Sequence, residues 1–157
     1  MWPEVGVKTL PPSRVAYLMR KGMYEGISDV FKELVAWIKA NKLRPVGEPV
    51  LIYHSNPAGM PPPLREWELQ ISVEGEMVAA ADENGPGVKD LPQREVVFAM
   101  YRGGYSSIEF LLPALFQVVY DKGYRLAAPA EEVYPRDFYE TPVDKLETEV
   151  RFPVEPR

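Results

Sequence analysis

The sequence has no cysteine, one histidine and fewer basic than acidic residues, and each shortage closes off a class of function. Without Cys there can be no disulfide, no thiol nucleophile and no thiolate metal site. A metal centre wants about three or four protein ligands at workable spacing, which nothing here supplies, so no metal is expected. Lys and Arg number 18 against 23 Asp and Glu, a net charge of −5, whereas a nucleic-acid footprint needs clustered basic excess. No apolar run approaches the ~20 residues of a membrane span. The start, Met1-Trp2-Pro3-Glu4, lacks the basic and apolar regions of a signal peptide. A cytoplasmic protein with neither nucleic-acid nor membrane partners is therefore expected. No Gly-rich loop opens a helix in the nucleotide-binding manner, so Arg20, Lys21 and Arg102 read as solvated strand ends, and no cofactor is expected.

What is present is 157 residues, 46% hydrophobic and 26% charged, enough to bury the core of one domain spanning 1–157. The chain also repeats itself. Displaced by 81 positions, VKTLPPSRVAYLMRKGMYEGI at 7–27 lies over VKDLPQREVVFAMYRGGYSSI at 88–108, with nine identities. The same offset brings together Leu34 and Leu115, Tyr53 and Tyr134, Pro61 and Pro142, Glu68 and Glu149, and Val73 and Val154. The repeats run 3–75 and 86–155, joined by a hinge at 76–87 rich in Ala, Glu, Asp and Gly.

Each repeat reads as ββαββ. A short strand (3–8; 86–91) meets a Leu-Pro turn. A second strand alternates Val15, Tyr17 and Met19, matched by Val96, Phe98 and Met100. A Gly-x-Tyr element, containing Tyr24 or Tyr105, turns the chain into a helix. In the first helix Ile27, Val30, Phe31, Leu34, Val35 and Ile38 recur at helical spacing. Its counterpart at about 107–122 is apolar nearly all round and contains Pro113, which predicts a kink. Strands near 49–55 and 65–73, then 130–135 and 146–154, close the units. The expected fold is α+β: two pseudo-twofold-related units, an antiparallel sheet, both long helices on one face and a ligand groove between them.

LPPSRVAYLMRKGMYEGI, LPQREVVFAMYRGGY and the terminal ETPVDKLETEVRFPV resemble the GyrI-like effector-binding family, which also provides the ligand-sensing half of multidrug-responsive regulators. The likeness covers nearly the whole chain and rests on several weak motifs in the right order. It implies a pocket between helices and sheet, walled by aromatics, with a glutamate at its centre that aligns with Glu149. The pseudo-symmetric mate of that acid is Glu68. Alternation alone, with Leu146, Thr148, Val150 and Phe152 set against Glu147, Glu149 and Arg151, reads instead as a solvated charged face. The candidate walls are Tyr17, Tyr53, Trp67, Phe98, Tyr105 and Tyr134, each of which could equally pack as core. His54, before Ser55-Asn56-Pro57, reads as a surface loop residue.

The expected function is capture of hydrophobic, cationic small molecules, with ring faces and a carboxylate meeting the charge. A second reading is a hydrolase of reactive electrophiles using Glu149 and Tyr134. A third is a protein-inhibitor role, or a homodimer, through the helix at 107–122, with Phe110, Leu111 or Phe116 meeting a partner chain or lining the pocket mouth. The two repeats use up the length, so no helix-turn-helix is expected within it.

Overall fold

The structure, a computed structural model, describes residues 5–22, 26–55, 61–80, 82–102, 108–135, 138 and 140–157; the side chains of Pro62, residues 108–111 and Val143 are outside that description. Tyr24, Tyr105, and the side chains of Phe110 and Leu111, on which expectations were placed, therefore lie outside the described residues.

In chain order the elements are β1 (Val5–Leu10), β2 (Ser13–Lys21), α1 (Ile27–Ala40), β3 (Arg44–Pro45), β4 (Val50–Tyr53), β5 (Glu66–Glu74), β6 (Gly87–Leu91), β7 (Arg94–Arg102), α2 (Ile108–Asp121), β8 (Tyr124–Leu126), β9 (Glu131–Val133) and β10 (Glu147–Pro156). The class is α+β, and the strand pairs within each unit are antiparallel. Each helix is followed by a short strand, β3 or β8, that the ββαββ pattern lacked.

The chain divides into two compact units that do not coincide with the sequence repeats. One comprises Met1–Pro11 with Gln93–Arg157, the other Pro12–Pro92. The cause is hydrogen bonding at the edges: β1 pairs with β7, and β6 pairs with β2, so each repeat's first strand completes the sheet of the other unit. Nor is 76–87 a hinge between compact units. It lies within the second, where Met19 N donates to Asn84 O at 2.8 Å and Val88 N to Val78 O at 3.2 Å.

In the first unit β10 is central, with β7 on one side and β9 and β8 on the other, and β1 outside β7. Strand register sorts the side chains onto two faces. One face carries Val97, Ala99, Tyr101, Val150, Phe152 and Val154, and packs against Leu115 and Val119 of α2. Leu115 is wholly buried, worth about 1.5–3 kcal/mol by transfer from water. Pro113 lies inside α2, which runs unbroken from Ile108 to Asp121. The helix ends where Gly123, at φ +78, takes the left-handed conformation and donates to Tyr120 O at 3.0 Å.

In the second unit β5 is central, with β2 then β6 on one side and β4 and β3 on the other. Ile27, Val30, Leu34 and Ile38 form the buried stripe of α1, recurring every three or four residues as an amphipathic helix requires. Asp29 in the first turn and Lys39 in the last complement the helix dipole. Asn41 stops the helix: its side chain donates to Trp37 O at 2.9 Å, and Lys42 follows at φ 60. Arg20 reaches Glu33 of α1 with two bonds of 2.8 and 2.7 Å, which marks the face of β2 that the helix covers.

Candidate functional site

The residues predicted to form one aromatic pocket fall on opposite faces of their sheets. In the first unit Glu149 stands opposite Met100 and Arg151 opposite Phe98, whereas Val150 stands opposite Ala99 and Glu132. Glu149 and Phe98 therefore point away from the face that α2 covers. Glu149 is neither solvated nor walled by aromatics alone. Its side chain is 13% exposed, accepts from Lys8 Nζ at 2.5 Å on Oε1, and is 3.3 Å from Arg151 Nη1 on Oε2. The ion pairs continue: Arg151 Nε donates to Glu131 Oε1 at 2.7 Å, and Glu131 also binds Arg94. The strand's charged stripe folds into a ladder of paired charges, which is how burial of such residues is tolerated.

The second unit repeats the arrangement with different partners. Tyr17 stands opposite Gln70 and Met19 opposite Glu68, on the face away from Arg20 and Trp67. Glu68 is 3% exposed and receives three donors: His54 Nε2 at 2.8 Å, Lys89 Nζ at 2.7 Å and Gln70 Nε2 at 2.7 Å. Burial pushes its carboxyl upward, but the bonds from His54, Lys89 and Gln70 and the charge of Lys89 outweigh it, holding the pKa down at about 2. His54 is thus a partner of a buried acid and not a bland loop residue. Tyr53 and Trp67 stand opposite each other on the other face, where Leu51 and Leu69 form the next pair, so the structure does not bring them to Tyr17 and Glu68.

The carboxylate that does lie under a helix is one the sequence reading passed over. Glu132 is fully buried, faces α2 beside Val150, and accepts from Tyr134 Oη at 2.7 Å and Tyr101 Oη at 3.0 Å, both on Oε2. Tyr134 is wholly buried and tilted against Phe138, with ring centroids 5.3 Å apart. Of the predicted walls, Tyr134 engages this acid directly. Opposite Tyr101, on the same face, the buried hydroxyl of Thr148 makes no hydrogen bond among the described residues. A signal existed: at the same offset of 81, Glu132 falls on Leu51, an apolar core position of the other unit. A carboxylate in a repeat's core position calls for partners.

Elsewhere, Phe116 is 45% exposed and stacks on Phe152 at 5.1 Å, and Tyr120 beside it is more exposed still. A cleft of about 570 Å³ is lined by Met19, Arg20, Lys21, Glu66, Glu83 and Asn84, none of them a predicted wall. Arg20, Lys21 and Arg102 are engaged in ion pairs with Glu33, Glu66 and Glu147. Among the described residues no cluster of three or more His, Asp or Glu is arranged to hold a metal, and no helix is long and apolar enough to cross a membrane.

The chain, a helix-backed antiparallel sheet in each unit, belongs to the GyrI-like small molecule binding domain family, matched over residues 3–155. Its fold is that of the EcmrR C-terminal domain, at a TM-score of 0.81 and 20% identity with both chains fully covered; in an EcmrR–DNA complex the chain spans 58% of the longer protein. It also resembles a hydrolase from Listeria innocua, with a TM-score of 0.69, 16% identity, and 98% and 92% of the two chains covered. A third neighbour is SAV2435 bound to tetraphenylphosphonium, with a TM-score of 0.55, 14% identity, and 97% and 94% covered. No protein of curated function matches the sequence.

Proposed function

We propose that this domain captures a hydrophobic, cationic small molecule, and that the acid meeting the ligand's charge is Glu132, with Tyr134 and Tyr101 beside it. The observation that carries the reading is the fully buried Glu132 carboxylate held by two phenol hydroxyls beneath α2. Taking a carboxylate out of water is costly, and a bound cation recovers much of that cost. The Thr148 hydroxyl on the same face, buried without a hydrogen bond among the described residues, supports a polar atom arriving there, because a buried unmade hydrogen bond costs about 1–3 kcal/mol. Glu149 and Glu68 each face an ammonium group of the protein.

The reading of the chain as a duplicated unit is supported by the register: Met19 stands opposite Glu68, and the residues 81 positions further on, Met100 and Glu149, stand opposite each other too. A net charge of −5 favours ligand over nucleic acid as the partner of this chain. A protein partner on α2 has the half-exposed Phe116 as its support.

Tetraphenylphosphonium, the ligand named for SAV2435, is the probe. Titrated into wild type and Glu132→Gln and followed by tryptophan fluorescence, it should bind the variant about ten- to hundredfold more weakly, the cost of ~1.5–3 kcal/mol for a charge-assisted bond. Glu149→Gln should change little. The reverse order would return the site to Glu149. The 2.7 Å contact of Tyr134 with Glu132 favours one second reading, a hydrolase in which the acid orients water and the phenol donates a proton. Turnover of an electrophile panel, abolished in Glu132→Gln, would establish that reading.

A further inference from the structure

The edge strands β1 and β6 are one element built twice. Each contains Gly-Val-Lys, at 6–8 and 87–89, and each glycine lies under a ring of the neighbouring strand. A Cβ at Gly6 would come 3.0 Å from Phe98, and one at Gly87 3.1 Å from Tyr17. The registers match as well: Val7 stands opposite Val97, Val88 opposite Ala16, and each residue is 81 positions from its counterpart in the other pair.

Their outer edges differ at every outward-facing position. Val88 N donates away from β2, to Val78 O at 3.2 Å, so the backbone of residues 86, 88 and 90 faces outward. By the matching register, residues 5, 7 and 9 of β1 do the same. An open edge invites pairing with another chain, and proteins blunt it with proline, charge or a covering segment. The β6 edge has all three. Pro86 lacks an N–H, Val88 is covered from the Val78 side and only 6% exposed, and Asp90 brings a charge. At the same places β1 has Val5, Val7 and Thr9, and among the described residues no backbone group bonds to that edge.

We propose that β1 pairs antiparallel with β1 of a second copy of this chain, across a twofold axis at Val7, so that the sheet of the first unit continues into that of its partner. With the axis there, Val7 meets the partner's Val7 and Val5 meets the partner's Thr9. Each such pair exchanges two backbone bonds, roughly six in all. Every pair is β-branched, the kind of cross-strand contact that stabilises a sheet. Lys8, the one charge in the strand, falls opposite the partner's Gly6. An axis at Lys8 would instead set two ammonium groups against each other, which is unfavourable. A strand of 6 residues a side is small beside the about 20–30 of a standard interface, so the dimer is weak and grows with concentration. Strands β7 and β10 separate β1 from β9, which carries Glu132, and the proposal does not depend on the ligand reading.

Sedimentation equilibrium from micromolar to millimolar protein should show the monomer passing to a dimer. Thr9→Pro removes an outward N–H that β7 does not use, so the urea midpoint at micromolar protein should hold. Dimerisation should weaken about tenfold or more, because symmetry doubles the lost bond. The chain has no cysteine, so one introduced thiol reports the register. Val7→Cys should link to its own copy under mild oxidation, since the Cα atoms of a bonded antiparallel pair lie about 5.5 Å apart, within disulfide reach. Thr9→Cys, at a more exposed position, should stay unlinked, because in this register the two thiols stand well beyond the ~7 Å limit for Cα atoms. A wild type that stays monomeric, or Thr9→Cys linking as readily as Val7→Cys, would overturn the proposal. If dimerisation persists in Thr9→Pro and is lost in Phe116→Ser, the contact is on α2 and the proposal falls.

Discussion

The hydroxyl of Tyr134 donates a 2.7 Å hydrogen bond to the carboxylate of Glu132, two residues before it in the chain. Glu132 lies on β9 and Tyr134 just beyond its end, so the strand delivers the acid beneath α2 and the phenol two residues on meets it there. Tyr101, from β7, completes the pair of donors.

Tyr134→Phe keeps the ring and removes the donor. It should destabilise the domain by about 1–3 kcal/mol in urea unfolding, the cost of leaving a buried acceptor short of a partner. Tyr101→Phe should act similarly. Because both hydroxyls serve the same oxygen, the double variant should depart from additivity by more than about 0.5 kcal/mol. Strict additivity would mean the two bonds are energetically independent.

Glu68 makes the stability of the second unit depend on acidity. Its folded pKa, about 2, lies below the ordinary 4.5, so its contribution is complete above about 4.5 and is lost as pH falls through about 2. The shift corresponds to about 3 kcal/mol. Glu68→Gln should be less stable than wild type at pH 6, and that gap should shrink by about this amount at pH 2. A gap that stays constant with pH would show that His54, Gln70 and Lys89 do not stabilise the charged form.

The glycines under the rings give a steric test. Gly87→Val would place side-chain atoms against Tyr17 and also against Ala80, which a Cβ alone would approach to 2.7 Å. Unfolding midpoints should show a loss of about 1–3 kcal/mol, the usual cost of overpacking. A neutral result would mean that the ring moves aside freely.

The α+β class was legible because the alternation of Val15, Tyr17 and Met19 and the helical spacing of Ile27, Val30, Leu34 and Ile38 are local signals. What escaped was long-range pairing. Nothing local says that Lys8 will sit beside Glu149, because that contact requires β1 to cross to the unit that holds β10. For the same reason the direction each carboxylate faces was not legible. Glu149 drew attention as part of a family-like motif, yet the register turns it away from α2 and toward Lys8 and Arg151. Glu132 stands beside an equally acidic Glu131, and period two sends one to the ion-pair ladder and the other to the core. Its mismatch with Leu51 was the clue in the sequence.

The measurement that bears most directly on the proposed site is a carbon-13 spectrum of the glutamate side-chain carboxyls, assigned by single substitutions, with and without saturating tetraphenylphosphonium. The account predicts that the Glu132 resonance moves while those of Glu149 and Glu68, still held by Lys8 and Lys89, stay where they are. A shift at Glu149 with Glu132 unmoved would contradict it.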